Sequence, residues 1–82
     1  MKVGDILVTL GDDTRFTIAR ENEAGLYPVI REKGTVYTTA LGCVFTKKNL
    51  PKDIFRRYLF LNVEEIKIGM INGENTLILR VF

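Results

Sequence analysis

Four residues near the C-terminus, Ile71-Asn72-Gly73-Glu74, constrain the fold more than any others in this chain. Asn-Gly accepts the positive φ angles of a type I′ turn, and apolar residues alternate on both sides of it. This is the pattern of a β-hairpin closed by a two-residue loop. The loop sets the register. Ile68 then opposes Leu77 and Ile66 opposes Leu79 on the expected core face, while Lys67 opposes Ile78, Glu65 opposes Arg80 and Val63 opposes Phe82 on the other. Glu65 and Arg80 are thereby placed to form a cross-strand ion pair. Leu77-Ile78-Leu79 is apolar on both faces. Such a strand is expected at the centre of a sheet or beneath a second subunit, and in the latter case Leu77, Ile78, Val81 and Phe82 form the interface.

Upstream, the chain reads as short segments of alternating polarity separated by turns. Ile6 to Leu10 sets Ile6, Val8 and Leu10 against Leu7 and Thr9, and Gly11-Asp12-Asp13 supplies turn residues. Arg15 to Arg20 alternates again, so these two segments are expected to pair as a hairpin with Phe16 and Ile18 inward. After the turn Glu21 to Gly25 comes a strand from Leu26 to Arg31, in which Pro28 has no donor and demands an edge or a bulge. Glu32-Lys33-Gly34 turns into the β-branched and aromatic run Thr35 to Thr39. Gly42 marks a bend or bulge before a short strand from Cys43 to Thr46.

The periodicity then changes. Leu50, Ile54 and Tyr58 recur at every fourth residue, with Asn49 as the expected N-cap and Pro51 tolerated in the first turn. This predicts a short helix near residues 49–58 whose opposite face carries Lys48, Lys52 and Arg56. The whole is a mainly β (α+β) fold: a small curved sheet or barrel of about six short strands, one short basic helix and the C-terminal Asn-Gly hairpin.

With 82 residues there is material for a single domain, 1–82, that buries about 60 to 65% of its unfolded surface. A homodimer or higher oligomer that buries more apolar area stays open. One cysteine, Cys43, cannot form an internal disulfide, and Met1 to Asp5 runs straight into a strand pattern with no signal peptide. A cytoplasmic location is expected. No apolar run approaches the roughly 20 residues of a membrane span, so no membrane partner is expected.

The opening Lys2-Val3-Gly4-Asp5-Ile6-Leu7, the turn at Gly11, and the stretch from Tyr27-Pro28-Val29 to Tyr37-Thr38 resemble the start of KOW-like and Tudor-like small β-barrels. The likeness covers about the first forty residues. It implies that Val-Gly-Asp leads a strand pair. In size and turn density the chain also resembles small phage-type accessory or inhibitor proteins, which implies inhibition or sequestration of a host component. The region after Thr46 departs from the simple barrel pattern.

The chain has no His, Ser or Trp, so the commonest general base and the serine nucleophile are both missing. Cys43 lies in the apolar run Leu41 to Phe45 and reads as a buried structural thiol. Asp12-Asp13 and Glu21-x-Glu23 read as turn chemistry, with neither a calcium-loop pattern nor nitrogen or sulfur ligands beside them. Glu64 and Glu65, adjacent in a strand, are expected on opposite faces and unable to share a substrate. The seven glycines form no phosphate-binding loop. The expectation is a non-enzyme with no cofactor and no metal.

What remains is charge. Between Lys47 and Arg57 there are five Lys or Arg against one Asp, a local net of +4 in a chain whose total is +2. Like charges at successive i, i+4 positions destabilise a helix by roughly 0.2 to 0.5 kcal/mol per pair, which a bound phosphate would offset. The leading expectation is a binding module for an anionic ligand, nucleic acid or a nucleotide. Lys48, Lys52, Arg56 and Arg57 would contact phosphate, and Tyr27, Tyr37 and Tyr58 could stack on a base. The alternative is a small inhibitor that docks on a host protein by β-augmentation through the tail strand, or a homodimeric structural subunit.

Overall fold

The computed structural model describes residues 1–30 and 42–82 in full and residues 37–39 by their backbone. Its elements follow in the order α1 (Val3–Leu7), β1 (Phe16–Asn22), β2 (Gly25–Pro28), β3 (Tyr37–Thr39), β4 (Gly42–Val44), α2 (Lys52–Tyr58), β5 (Val63–Ile71) and β6 (Glu74–Val81). The expected turn at Glu32-Lys33-Gly34, the start of the Thr35 strand, Arg31 and Leu41 lie outside the described residues. Mainly β is the observed class.

The C-terminal hairpin forms as its turn dictates. Asn72 and Gly73 take φ angles of 52° and 79°, and β5 pairs with β6 through Ile68 opposite Leu77, Ile66 opposite Leu79 and Glu65 opposite Arg80. A bulge between Val63 and Glu65 moves Val63 onto Val81 instead of Phe82. One extra residue at Glu64 is accommodated by local bending.

Beyond the hairpin, tertiary pairing takes over. The four-stranded sheet has the order β2-β1-β6-β5, with β1 parallel to β6 and antiparallel to β2. Phe16 lies beside Leu77 and Ile18 beside Leu79. The doubly apolar Leu77-Ile78-Leu79 is thus central, and Pro28 sits on an edge strand where its missing donor breaks no ladder. β3 and β4 form a separate antiparallel pair, tied to the sheet where Phe45 and Phe16 exchange hydrogen bonds of 2.9 and 2.8 Å. The sheet does not close: β2 and β5 are its edges.

The N-terminal segment departs from expectation. Instead of a strand over Ile6 to Leu10 hairpinned to β1, residues Val3–Leu7 form a helix. Val3, Ile6, Leu7 and Leu10 fall at i, i+3, i+4 and i+7, so a helical turn buries Val3, Ile6 and Leu7 together and leaves Val8 exposed. The Asp5 carboxylate accepts the Lys2 N–H at 3.0 Å. The N–H groups of Val3 and Gly4, which no helical carbonyl can take, donate to Leu61 O at 2.9 Å and Leu59 O at 3.0 Å just beyond α2. Val3-Gly4-Asp5 therefore opens a helix and not a strand pair.

One apolar cluster holds the molecule together. Val3, Ile6 and Leu7 from α1 and Ile54 from α2 pack with Phe16, Ile18, Phe45, Leu79 and Val81 on one face of the sheet. Thr17, Ala19, Thr76 and Ile78, which face the other way, are buried as well. The cluster stops short of the edge. Ile66 and Ile68, expected on the core face, lie on that face but outside the core, and they are exposed.

Candidate functional site

α2 is seated as its periodicity predicts, with Ile54 buried and Leu50 and Tyr58 half-buried against the core. Its start differs. Pro51 holds the N-cap position in an extended conformation and Lys52 is the first helical residue. Asn49 closes a turn instead, its N–H donating to Thr46 O and its Nδ2 to Thr46 Oγ1, both at 3.1 Å. Pro51 is biased against an α conformation in the residue before it, so the helix cannot extend back to Asn49.

This boundary breaks up the expected basic stripe. Lys48 is off the helix, and its ammonium lies 3.5 Å from Asp13. Lys52 and Arg56 are exposed on α2 with no ion pair among the described residues. The Arg57 guanidinium stands 5.9 Å from the centre of the Tyr58 ring, within reach of a cation–π contact. Lys48 thus lies outside the helix that carries Lys52, Arg56 and Arg57.

A different grouping emerges around Lys52. Leu7 and Val8 at the end of α1, Lys47 and Leu50 in the turn before α2, and Lys52 and Phe55 on α2 line an open groove of about 280 Å³. Among the described residues its wall is largely aliphatic and aromatic, and the two polar side chains that line it are both lysines. Lys47 is half-buried and donates through Nζ to Leu10 O at 3.1 Å, which fixes its position. Sequence reasoning missed this groove because it had placed Val8 in a strand and grouped Lys47 with the helix only by charge.

Among the aromatic candidates, Tyr27 is partly exposed on edge strand β2, and Tyr58 packs against the core. The side chain of Tyr37 lies outside the described residues. Of the expected interface residues, Ile78 and Val81 are buried within the chain, Leu77 is half-buried, and only Phe82 is exposed. β6 is paired on both sides, so no partner strand can add to it.

A second charged group lies on the back of the sheet. Arg80 pairs with Glu21, and its Nη2 is 3.6 Å from Glu64 and 3.5 Å from Glu65. Glu64 and Glu65 were expected on opposite faces; the bulge at Glu64 turns both towards the same guanidinium. The hydrogen bond to Glu21 and the three carboxylates raise the Arg80 pKa, outweighing partial desolvation. One guanidinium facing three carboxylates leaves the cluster net negative, and it reads as a clasp between β1, β5 and β6.

Cys43 is buried and, as the one cysteine of the chain, forms no internal disulfide. Among the described residues no group of three or more Cys, Asp or Glu side chains is placed to hold a metal ion, and no helix is long and apolar enough to cross a membrane. Fold and surface together define a small β-rich protein with an open sheet and a lysine-flanked groove between two short helices. No family model, curated protein or solved structure matches the chain.

Proposed function

We propose that this chain is a non-catalytic binding module that takes a nucleotide unit, free or within a single strand, in the groove between α1 and α2. The observation that carries this reading is Lys52: a cation without an ion pair among the described residues, at the rim of an apolar groove. As the first residue of α2 it stands where a helix dipole disfavours positive charge by roughly 0.3 to 1 kcal/mol, so local stability does not account for it. A ligand with a flat apolar body and an adjoining anionic group matches both halves of the lining. The base would lie against Phe55, Leu50 and Val8, and the phosphate would meet Lys52, with Lys47 adding field from its fixed position. Arg56, one helical turn further on, is placed to follow a longer backbone.

Titration of the isotope-labelled protein with a mononucleotide and with a single-stranded oligonucleotide, both at low salt, tests the reading. Amide shifts should cluster at Val8, Leu50 and Phe55. Tighter oligonucleotide binding that falls with added salt marks the polymer as the ligand. If neither probe shifts the groove resonances at low salt, the reading is wrong.

A further inference from the structure

β5 is an edge strand that displays its apolar residues. Ile66, Ile68 and Met70 alternate along one face with side-chain positions 46%, 73% and 68% exposed, although the same face of β6 and β1 is core. Edge strands in monomers are normally protected by charge, proline or brevity. The opposite edge follows that rule, since β2 has four residues and contains Pro28. Edge β5 has nine residues and no proline, and its charges, Glu64, Glu65 and Lys67, leave the face of Ile66, Ile68 and Met70 without one.

The edge is also delimited. Val3 N–H donates to Leu61 O, Val63 N–H donates to Met1 O, and Lys2 bridges to Asn62, so the N-terminal residues cover the edge as far as Val63. From Glu65 to Met70 no strand is paired to that side among the described residues. Because the two-residue turn makes Ile71 and Glu74 a hydrogen-bonded pair, residues two, four and six positions away alternate in the same sense. The N–H and C=O groups of Ile66, Ile68 and Met70 therefore point outward.

We propose that β5 pairs antiparallel with β5 of a second copy of this chain, with the two-fold axis passing beside Ile68. This register sets Ile68 against Ile68, Ile66 against Met70 and Lys67 against Gly69. All six exposed apolar side chains of the two stripes then meet, and every outward backbone group finds a partner. Registers with the axis beside Gly69 or Met70 set Ile66 or Ile68 against the turn residue Asn72 and leave apolar side chains unmatched, and those on the other side fail on charge or space. An axis beside Lys67 opposes two lysines, and one beside Ile66 drives Met70 of one chain onto Asn62 of the other, where Lys2 already lies. Because the β2 edge is short and carries Pro28, assembly closes at two copies and does not run on into a fibre.

Sedimentation or light scattering of the full chain tests the pairing. Twice the chain mass of 9.4 kDa is expected at high micromolar concentration, and the variant Ile68→Lys, which opposes two cations at the axis, is expected to be a folded monomer. Cysteine substitution then reads the register. Ile68→Cys should cross-link to itself on mild oxidation, since paired Cα atoms lie about 5.5 Å apart. Ile66→Cys should not, because in this register its two copies are separated by about 14 Å along the strands. A wild-type monomer at millimolar concentration, a dimer that survives Ile68→Lys, or equal cross-linking of both variants would each overturn the proposal.

Discussion

Phe16 and Phe45 exchange both backbone hydrogen bonds across an isolated bridge and set their rings 5.9 Å apart, each fully buried. This contact joins the β3–β4 pair to the four-stranded sheet. It also sits where β1 meets β6, since Phe16 is the residue beside Leu77.

Truncating either ring should therefore be severe. Phe45→Ala is expected to cost about 3–5 kcal/mol through lost burial and a residual cavity. The total stability of a chain this size is about 4–12 kcal/mol. Urea unfolding followed by far-UV circular dichroism should show the midpoint falling sharply, or no folded baseline at all.

Gly42 holds a φ of 98°, and a Cβ there would strike the Pro28 ring and come 2.8 Å from the Ile30 carbonyl oxygen. Gly73, at φ 79°, has open space around the same position. The two should thus respond differently to alanine. Gly73→Ala is expected to cost about 1–2 kcal/mol for the left-handed backbone alone, and Gly42→Ala about 2–5 kcal/mol because overpacking adds to it. Thermal melts of the two variants give the comparison, and equal losses would contradict it.

Arg80 holds three carboxylates that would otherwise repel one another across β1, β5 and β6. Arg80→Met should lower the denaturation midpoint at low ionic strength. Added salt should recover part of the loss, because the remaining repulsion among Glu21, Glu64 and Glu65 is screened. The raised pKa means that Arg80 holds its proton more tightly in the folded chain, so its contribution is fully present throughout the neutral range and is lost only at extreme alkaline pH. Wild-type stability should accordingly show no step between pH 6 and 9 that Arg80→Met abolishes.

Lys52 should separate binding from stability. Replacing it with glutamate puts a carboxylate at the start of α2, a change worth about 0.3–1 kcal/mol in favour of the fold. Lys52→Glu is expected to melt at or above the wild-type temperature while losing nucleotide-induced shifts in the groove. A variant that is destabilised yet binds normally would show that Lys52 serves the fold.

Local chemistry in the sequence determined the C-terminal hairpin and its register, from Ile71 opposite Glu74 to Glu65 opposite Arg80, because Asn72 and Gly73 select a turn whose geometry fixes each pair up to the bulge at Glu64. It also determined the inward face of α2 through Leu50, Ile54 and Tyr58, and by making both faces of Leu77-Ile78-Leu79 apolar it required cover on both, from a sheet or a second subunit, a choice that the strand order decides for the sheet. Only tertiary structure decided the N-terminal segment, where Ile6, Val8 and Leu10 fit a strand and Val3, Ile6, Leu7 and Leu10 fit a helix equally well. The carbonyls of Leu59 and Leu61, more than fifty residues away in sequence, accept the free N–H groups and settle it. The same holds for the parallel pairing of β1 with β6, for the bulge that gathers Glu64 and Glu65 on Arg80, and for the groove at Lys52. Each depends on contacts between residues far apart in the chain, which a periodicity of two or four cannot encode.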